Sequence, residues 1–204
     1  MQIKCLPLGA YQTNCYLAWG DDSKTCVVID PGYEGDFVLE QVASLGLSVE
    51  AVFLTHGHFD HVGAVETIVS KTGCDLWVQE ADWSIAPGYG IRQLFPLANC
   101  NFCPVNFYED KEVVHAAGLD FTVWQTPGHT WGSVCLQAEE NLFTGDTLFA
   151  GSIGRTDFPQ SDWKTMAETL RFLKEVPQDY TIFPGHGESS TLFAEIQTNP
   201  FLRT

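Results

Sequence analysis

A histidine-rich segment that directly follows an apolar run constrains this chain more than any other feature. The segment reads Thr55-His56-Gly57-His58-Phe59-Asp60-His61, and the apolar run is Ala51-Val52-Phe53-Leu54. In an extended segment, side chains two positions apart point the same way, so His56 and His58 can bind one metal ion. If a helix begins near Asp60, then Asp60 and His61 turn to a neighbouring position and can bind a second ion.

Three further candidate ligands each follow a predicted strand. They are His129 after Phe121 to Gln125, Asp146 after Asn141 to Thr144, and His186 after Tyr180 to Phe183. A glycine immediately precedes each of them, which suits a sharp turn that projects one side chain into a shared cleft. Five of the six histidines thus belong to the predicted site, and His115 is expected on the surface. Imidazoles and carboxylates without thiolate fit two divalent ions, zinc first and iron or manganese as alternatives, with Asp146 as the bridge.

The order of the predicted elements indicates an α/β fold with two sheets. Strands and helices occur in two similar successions, one in each half of the chain, and candidate ligands lie at strand ends in both halves. We therefore predict two sheets face to face, with helices outside and the site along one edge. The predicted helices are Asp36 to Leu45, Val62 to near Gly73, Glu80 to Ile85 and Ser161 to Lys174. A long loop, Pro87 to Pro104, separates the two halves and is predicted to be a lid, an interface or surface.

Composition excludes several classes of function. At 204 residues and 45% hydrophobic content, the chain can bury a full core as a single domain spanning 1–204. Its formal net charge of −16 repels phosphate backbones, which argues against nucleic acid as a partner. No apolar run approaches the roughly 18 residues that span a bilayer, and no signal-peptide pattern is present, so we expect a cytoplasmic protein.

Cysteine usage points to reduced thiols. There are seven cysteines, an odd number, in a chain large enough to fold without disulfide bonds. Cys100 and Cys103 form the one close pair. Without a second pair at zinc-finger spacing, packing in a loop or an interface is favoured over a structural zinc site there.

The complete pattern resembles the metallo-β-lactamase superfamily. The resemblance is carried by His-x-His-x-Asp-His at 56–61, followed by a lone His, a lone Asp and a final His in this order, and it covers nearly the whole chain. It implies an αββα sandwich. It also implies one metal on His56, His58 and His129, a second metal on Asp60, His61 and His186, and Asp146 as the bridge between them.

Within the superfamily the sequence most resembles the hydroxyacylglutathione hydrolases (glyoxalase II), especially the short bacterial subgroup without a C-terminal helical domain. The supporting stretches are Gly145 to Phe149, Gly154 to Phe158, Pro184 to Gly187 and Asn199 to Phe201. Only 18 residues follow His186, so we expect the helical domain of the long enzymes, with its glutathione contacts, to be missing. Where the long enzymes carry a Lys and a Tyr, this chain has Arg155 and Asp157. Arg155 can still bind a substrate carboxylate. Because the tyrosine contact is missing, the sequence does not identify which thiol carries the acyl group.

The activity predicted first is hydrolysis of a small-molecule thioester such as S-D-lactoylglutathione. Two dications lower the pKa of a bridging water from about 15.7 to near 7, which provides hydroxide at neutral pH. Asp60 is predicted to orient that hydroxide, and Asp146 to hold the two ions together. A thiol of pKa about 8.5 leaves as thiolate without assistance.

The sequence also allows other functions. Persulfide dioxygenases share the fold and the Gly-Arg-Thr-Asp-Phe stretch but use one iron, here on His56, His129 and Asp146. A catalytically inactive metal-binding or interaction module is a further alternative. β-Lactam hydrolysis is less favoured, because the β-lactamases with a zinc-binding cysteine have that thiol where this chain has Asp146. Net charge disfavours the ribonuclease branch.

Overall fold

The structure is a computed structural model that describes residues 1–83 and 104–203. Cys100, Cys103 and the predicted loop from Pro87 lie outside the described residues, apart from Pro104 at the end of that loop. Among the described helices, none is long and apolar enough to cross a bilayer. The expectation of a single domain over 1–204 stays a prediction.

Six strands form the first sheet in the order of the chain. They are β1 (Gln2–Leu8), β2 (Thr13–Trp19), β3 (Thr25–Ile29), β4 (Ser48–Phe53), β5 (Asp75–Val78) and β6 (Val105–Phe107). The first three strands are antiparallel, and β3 to β6 are parallel. Parallel neighbours need crossover connections, which here contain helices. These are α1 (Gly35–Ser44) before β4, then α2 (Phe59–Val62) and α3 (Val65–Thr72) before β5, and α4 (Glu80–Trp83) after β5.

The second sheet contains the strands of the other half, in the order β12-β11-β10-β9-β8-β7. They are β7 (Val113–Ala116), β8 (Leu119–Gln125), β9 (Val134–Ala138), β10 (Asn141–Gly145), β11 (Thr181–Pro184) and β12 (Ser190–Thr191). Strands β10 and β11 are parallel, so their connection crosses over through α5 (Trp163–Glu175). A last helix, α6 (Leu192–Thr198), follows β12.

Three hydrophobic clusters lie between four layers, which are helices, the first sheet, the second sheet and helices. The space between the sheets is filled by side chains that include Val27, Ile29, Phe53, Phe121 and Phe143. Cys26 and Val28, the alternate residues of β3, point to the other face and belong to the cluster that contains residues of α1 and α3. Met166 and Leu170 of α5 cover the outer face of the second sheet. The predicted αββα sandwich is thereby confirmed.

The helix predicted from Val62 to near Gly73 is wrong in one respect, because the structure divides it into α2 and α3. The break lies where the chain packs against the loop after β3. A Cβ atom on Gly63 would lie 2.3 Å from the carbonyl oxygen of Gly32, and the Ala64 N–H donates to the Pro31 carbonyl at 2.9 Å. This close tertiary contact ends the first helix after one turn and orients Asp60 and His61.

Most other predicted elements are present with ends shifted by a few residues. Strand Thr25–Ile29 has the predicted bounds, and α1 begins and ends one residue before the prediction. The short elements β6, β12 and α6 were not predicted, since strands of three and two residues carry no clear alternation and a helix of seven residues spans only about two turns. His115 lies exposed as expected and pairs with Asp120.

Candidate metal centre

The histidine-rich segment leaves β4 and enters α2 as the sequence predicts. His58 is the N-terminal cap residue of α2 and has extended backbone angles, with φ −71° and ψ 149°. The helix begins only after His58, and the ring nitrogens of His56 and His58 reach the same place. Asp60 and His61 belong to the first turn of α2 and point to a neighbouring position.

His56, His58 and His129 form a first cluster. One ring nitrogen of each lies within 4.8 Å of the others. The contact between Nδ1 of His58 and Nε2 of His129 is 2.9 Å long. His129 comes from the turn after β8, which is held against the histidine segment by a hydrogen bond from the Val134 N–H to the Thr55 carbonyl at 2.8 Å. The two sheets therefore contribute jointly to this cluster.

Asp60, His61 and His186 form a second cluster with the same spacing. Nε2 of His186 is 3.4 Å from Oδ2 of Asp60. His186 follows β11, and the turn that carries it is tied to the first sheet because the Asn14 N–H donates to the Gly185 carbonyl at 2.8 Å. This cluster, too, joins elements of both halves of the chain.

Asp146 lies between the two clusters, and its two carboxylate oxygens face different histidines. Oδ1 is 3.3 Å from Nε2 of His61 and 3.7 Å from Nε2 of His186. Oδ2 is 3.4 Å from Nε2 of His129. A carboxylate in this position can bind one ion through each oxygen. The structure thus brings together all seven candidate ligands that the sequence singles out.

Unpaired buried atoms support a cation at this place. Nε2 of His56 is buried and has no hydrogen-bond partner among the described residues, and Nε2 of His61 and Oδ1 of Asp146 are buried 3.3 Å apart without hydrogen-bond geometry. Buried polar atoms normally have a partner, so a cluster of such atoms calls for a ligand. Imidazole nitrogens and carboxylate oxygens are donors that zinc and other divalent transition metals accept. The residues therefore fit two divalent ions.

The protonation states of the first cluster favour metal binding. Burial lowers the pKa of His56 well below its ordinary value, and neighbouring imidazoles add to this shift. Burial and the imidazole of His129 lower the pKa of His58 to about 4. Burial alone would raise the pKa of Asp146, but the adjacent imidazoles, first that of His61, hold it well below its usual range. Neutral imidazoles and an ionised carboxylate are the forms that bind a divalent cation.

Asp30, which the sequence analysis missed as a site residue, orients His61. Its Oδ2 lies 2.9 Å from Nδ1 of His61, and it also accepts hydrogen bonds from the Thr55 N–H and hydroxyl at 2.8 and 2.6 Å. Burial alone would lower the pKa of His61, but the carboxylates of Asp146 and Asp30 raise it well above its ordinary value. A cation that binds Nε2 of His61 therefore displaces a proton. The available sequence signal was an aspartate directly after a buried strand.

Asp82 is a second missed residue, and it joins the loops of the two sheets. Its side chain is buried and accepts hydrogen bonds from the N–H groups of Gly57 and Gly132 at 2.8 and 2.7 Å. The hydroxyl of Thr130 donates to it at 2.7 Å. Asp82 thus holds the histidine segment and the His129 turn in one arrangement. Burial raises the pKa of Asp82 in spite of these donors.

A cavity of about 730 Å³ opens beside the two clusters. Its apolar wall contains Tyr11, Phe59, Phe149, Ile153 and Phe158. The rings of Tyr11 and Phe59 contact each other edge to face with centroids 5.4 Å apart, and both side chains are exposed at the rim. An exposed aromatic pair next to a polar centre suits the apolar part of a small ligand.

Arg155 lies at the rim of this cavity, as the sequence predicts, but its guanidinium is paired. Nε and Nη2 donate to the two carboxylate oxygens of Asp157, each at 2.9 Å. The guanidinium carbon also lies 4.4 Å from the centre of the Phe158 ring. The pairing of Arg155 with Asp157 was not predicted from the sequence. A substrate carboxylate must therefore compete with Asp157 for the guanidinium.

The family profile described as Metallo-beta-lactamase superfamily matches residues 8–186, which include every residue of both clusters and Asp146. The chain belongs to the metallo-beta-lactamase superfamily. A curated relative in Haemophilus influenzae, named "Hydroxyacylglutathione hydrolase GloC", is 36% identical over 100% of this chain and 99% of its own length. The resemblance stated from the sequence, including the similarity to short glyoxalase II-like members of the superfamily, is confirmed.

Three solved structures of superfamily members share the fold closely. A structure titled BLEG-1 B3 metallo-beta-lactamase covers 100% of both chains with a TM-score of 0.85 and 29% identity. TTHA1623 in a di-iron-bound form covers 98% of this chain and 100% of its own, with a TM-score of 0.82 and 34% identity. ETHE1 from Myxococcus xanthus matches 98% of this chain and 84% of its own, with a TM-score of 0.80 and 28% identity. One of these neighbours is described as a β-lactamase and another as a di-iron form, so the family alone does not determine the substrate.

Proposed function

We propose that the protein is a metal-dependent hydrolase of small thioesters, with S-D-lactoylglutathione or a related hydroxyacyl thiol as substrate. The observation that carries this proposal is the position of Asp146 between two clusters of imidazoles and carboxylates at the floor of an open cavity. The 36% identity to the relative named "Hydroxyacylglutathione hydrolase GloC", over the full length of both chains, supports the thioester. We further propose that the protein acts in the cytoplasm on a free small molecule.

Each of the two clusters provides the proposed ligands of one ion. The first ion would be held by His56, His58 and His129, the second by Asp60, His61 and His186, and Asp146 would bind both. When bound, two such ions supply an ionised water at neutral pH and polarise the carbonyl of the substrate. Zinc is favoured by the donor set, and the di-iron form of a relative supports iron as the alternative.

The remaining steps depend on residues of the chain. Asp60 lies at the cavity floor, accepts a hydrogen bond from the Thr13 hydroxyl at 3.3 Å, and has a second oxygen that can accept one from the attacking water. The ring pair of Tyr11 and Phe59 offers an apolar surface for the methylene group and the thioester sulfur of the substrate. A thiol of pKa about 8.5 departs as thiolate, so the protein need not donate a proton to it.

The proposal is tested on one preparation of the purified protein. Elemental analysis gives the identity and number of bound metals, and a substrate panel then follows hydrolysis of S-D-lactoylglutathione, an uncharged thioester and a β-lactam. Oxygen uptake with glutathione persulfide is recorded in parallel. We expect two divalent ions per chain, thioester hydrolysis at least 10-fold faster than hydrolysis of the β-lactam, and no oxygen uptake.

The same measurements distinguish the hydrolase from each alternative function that the sequence allows. One iron per chain with oxygen consumption identifies a persulfide dioxygenase and refutes the hydrolase. Faster turnover of the β-lactam identifies a β-lactamase, the activity for which BLEG-1 is named. Two bound ions with no hydrolysis of any compound identifies an inactive metal-binding module.

Arg155→Ala is expected to raise KM for S-D-lactoylglutathione about tenfold while kcat changes by less than about twofold. The effect is moderate because a substrate carboxylate must compete with Asp157 for this exposed guanidinium, so only part of a charge-assisted hydrogen bond is lost. Asp157→Asn frees the guanidinium and is expected to lower KM about threefold, the opposite direction. Steady-state kinetics with the loaded enzyme measure both values.

The matched control is Arg171→Ala, which removes an exposed arginine of α5 outside the cavity and leaves KM unchanged. An uncharged thioester supplies a second control, because its KM should not respond to any of the three substitutions. If Arg155→Ala raises KM equally for charged and uncharged thioesters, the arginine does not bind a carboxylate.

A further inference from the structure

His58 presents a different ring nitrogen to the proposed centre than its neighbours do. Its Nδ1 faces Nε2 of His129 at 2.9 Å, so its Nε2 points away from the cluster. His61, His129 and His186 have the reverse orientation, because each of them has Nε2 near a carboxylate of the centre. The outer nitrogen of His58 is thus Nε2, and the outer nitrogen of the other three is Nδ1.

An imidazole that binds a metal through one nitrogen carries its proton on the other, which then acts as a hydrogen-bond donor. In His61 and His129 the outer nitrogen has an oxygen acceptor, namely the Asp30 carboxylate at 2.9 Å and the Arg155 carbonyl at 2.8 Å. In His186 the acceptor is the Tyr11 carbonyl at 3.2 Å. His58 needs a corresponding acceptor next to its Nε2.

The side chain of Gln160 occupies that place. It is 3% exposed, and its amide nitrogen lies 2.8 Å from Nε2 of His58. Its amide oxygen is buried and has no hydrogen-bond partner among the described residues. A half-turn of the amide exchanges its nitrogen and oxygen without changing the shape of the side chain, so the oxygen can equally face Nε2 of His58.

We propose that Gln160 is a positioning residue for His58, whose ring it holds with Nδ1 towards the first cluster. With its oxygen towards the ring, the amide accepts the hydrogen bond from the Nε2–H of His58, which satisfies both groups. Nδ1 of His58 then faces the first cluster as a nitrogen that can bind a cation. This inference rests on the proposed metal centre.

The position of Gln160 in the chain gives the proposal a structural basis. The segment from Arg155 to Ser161 also holds His129, since the Arg155 carbonyl accepts from its ring and the Ser161 hydroxyl donates to its backbone carbonyl at 2.6 Å. One segment therefore orients two of the three imidazoles of the first cluster. The second cluster is oriented by other residues, so a change at Gln160 should affect one ion only.

A neutral amide also suits the charge of the site. Asp30, Asp60 and Asp146 already place three carboxylates around the two clusters. A glutamate at position 160 would still accept the hydrogen bond from His58, so it preserves the orientation of the ring while adding charge. A methionine has a similar length and shape but offers no oxygen acceptor. These two substitutions separate hydrogen bonding from packing.

The test measures the affinity of both metal sites by competition with a chelator, using zinc and, separately, cobalt with its visible absorption. In Gln160→Met we expect the affinity for one of the two ions to fall about 10- to 100-fold and that for the other to stay within about threefold. Gln160→Glu should restore the weakened site to within about threefold of the original protein. Gln137→Met, the same exchange in β9, is the matched control and should change neither affinity.

Three results would overturn the inference: two unchanged affinities in Gln160→Met, an equal loss at both sites, or no restoration by Gln160→Glu when thermal melting shows both variants folded. Thioester turnover of the unsubstituted protein is measured separately. If that protein binds two ions but hydrolyses no thioester, the proposed function fails while the affinity comparison still decides the role of Gln160.

Discussion

Asp146→Ala should lower kcat/KM for the thioester at least about 1000-fold and leave the purified protein with fewer than two metal ions per chain. The expected loss is large because this carboxylate is the only described group whose two oxygens face both clusters, at 3.3 Å from His61 and 3.4 Å from His129. Without it, neither of the two proposed ions would have its full set of ligands, and the distance between them would no longer be fixed. Misplacement of reacting groups by about 1 Å already costs about 100-fold.

Two comparisons make this expectation specific. Asp146→Asn keeps one oxygen and is expected to retain one ion, with intermediate activity. Asp120→Ala removes an exposed carboxylate that pairs with His115 outside the site, and it should leave metal content and turnover unchanged. Metal content is measured by elemental analysis and turnover by steady-state kinetics. Two tightly bound ions in Asp146→Ala would show that Asp146 is not a bridge.

The local part of the site was predictable because it depends on short-range geometry. His56 and His58 are two residues apart in an extended segment, and this spacing alone places them on one side of the chain. Asp60 and His61 follow in a helical turn, which the sequence also indicated. The long-range part was predictable for a different reason: candidate ligands directly after buried strands must lie at the sheet edge. The residues that can bind a metal are thus the same residues that follow strands at one edge of the sheets.

The residues that hold the ligands were harder to predict. Asp82 stands in a short, acidic helix whose sequence is typical of a solvated surface, yet its carboxylate is buried by loops of both halves. Gly57 and Gly132 donate to Asp82 through their backbone N–H groups. Every residue except proline has such a group, so the residue type does not identify these donors. The pairing of Arg155 with Asp157 likewise depends on the conformation of one exposed turn. Such contacts become visible only when the folded backbone is known.

Gly185→Ala is the other substitution with a large expected effect. A Cβ atom at this position would lie 2.3 Å from Oδ1 of Asp146 and 2.7 Å from Cε1 of His61. Both neighbours are proposed ligands, and the Gly185 backbone cannot withdraw easily, because its N–H donates to the Gly145 carbonyl at 2.8 Å. The added methyl group must displace the ligands. We expect kcat/KM to fall at least about 100-fold and the free energy of unfolding to fall by about 1–3 kcal/mol.

Gly73→Ala is the matched control for this exchange. Gly73 ends α3 with φ 68°, and a Cβ atom there would have no neighbour within 4 Å. Alanine in the left-handed region costs about 1–2 kcal/mol, so both variants should be destabilised to a similar extent in thermal or denaturant unfolding. They should differ in function, since only Gly185→Ala moves Asp146 and His61. A Gly185→Ala protein that keeps two ions and normal turnover would mean that its ligands are not packed as the structure places them.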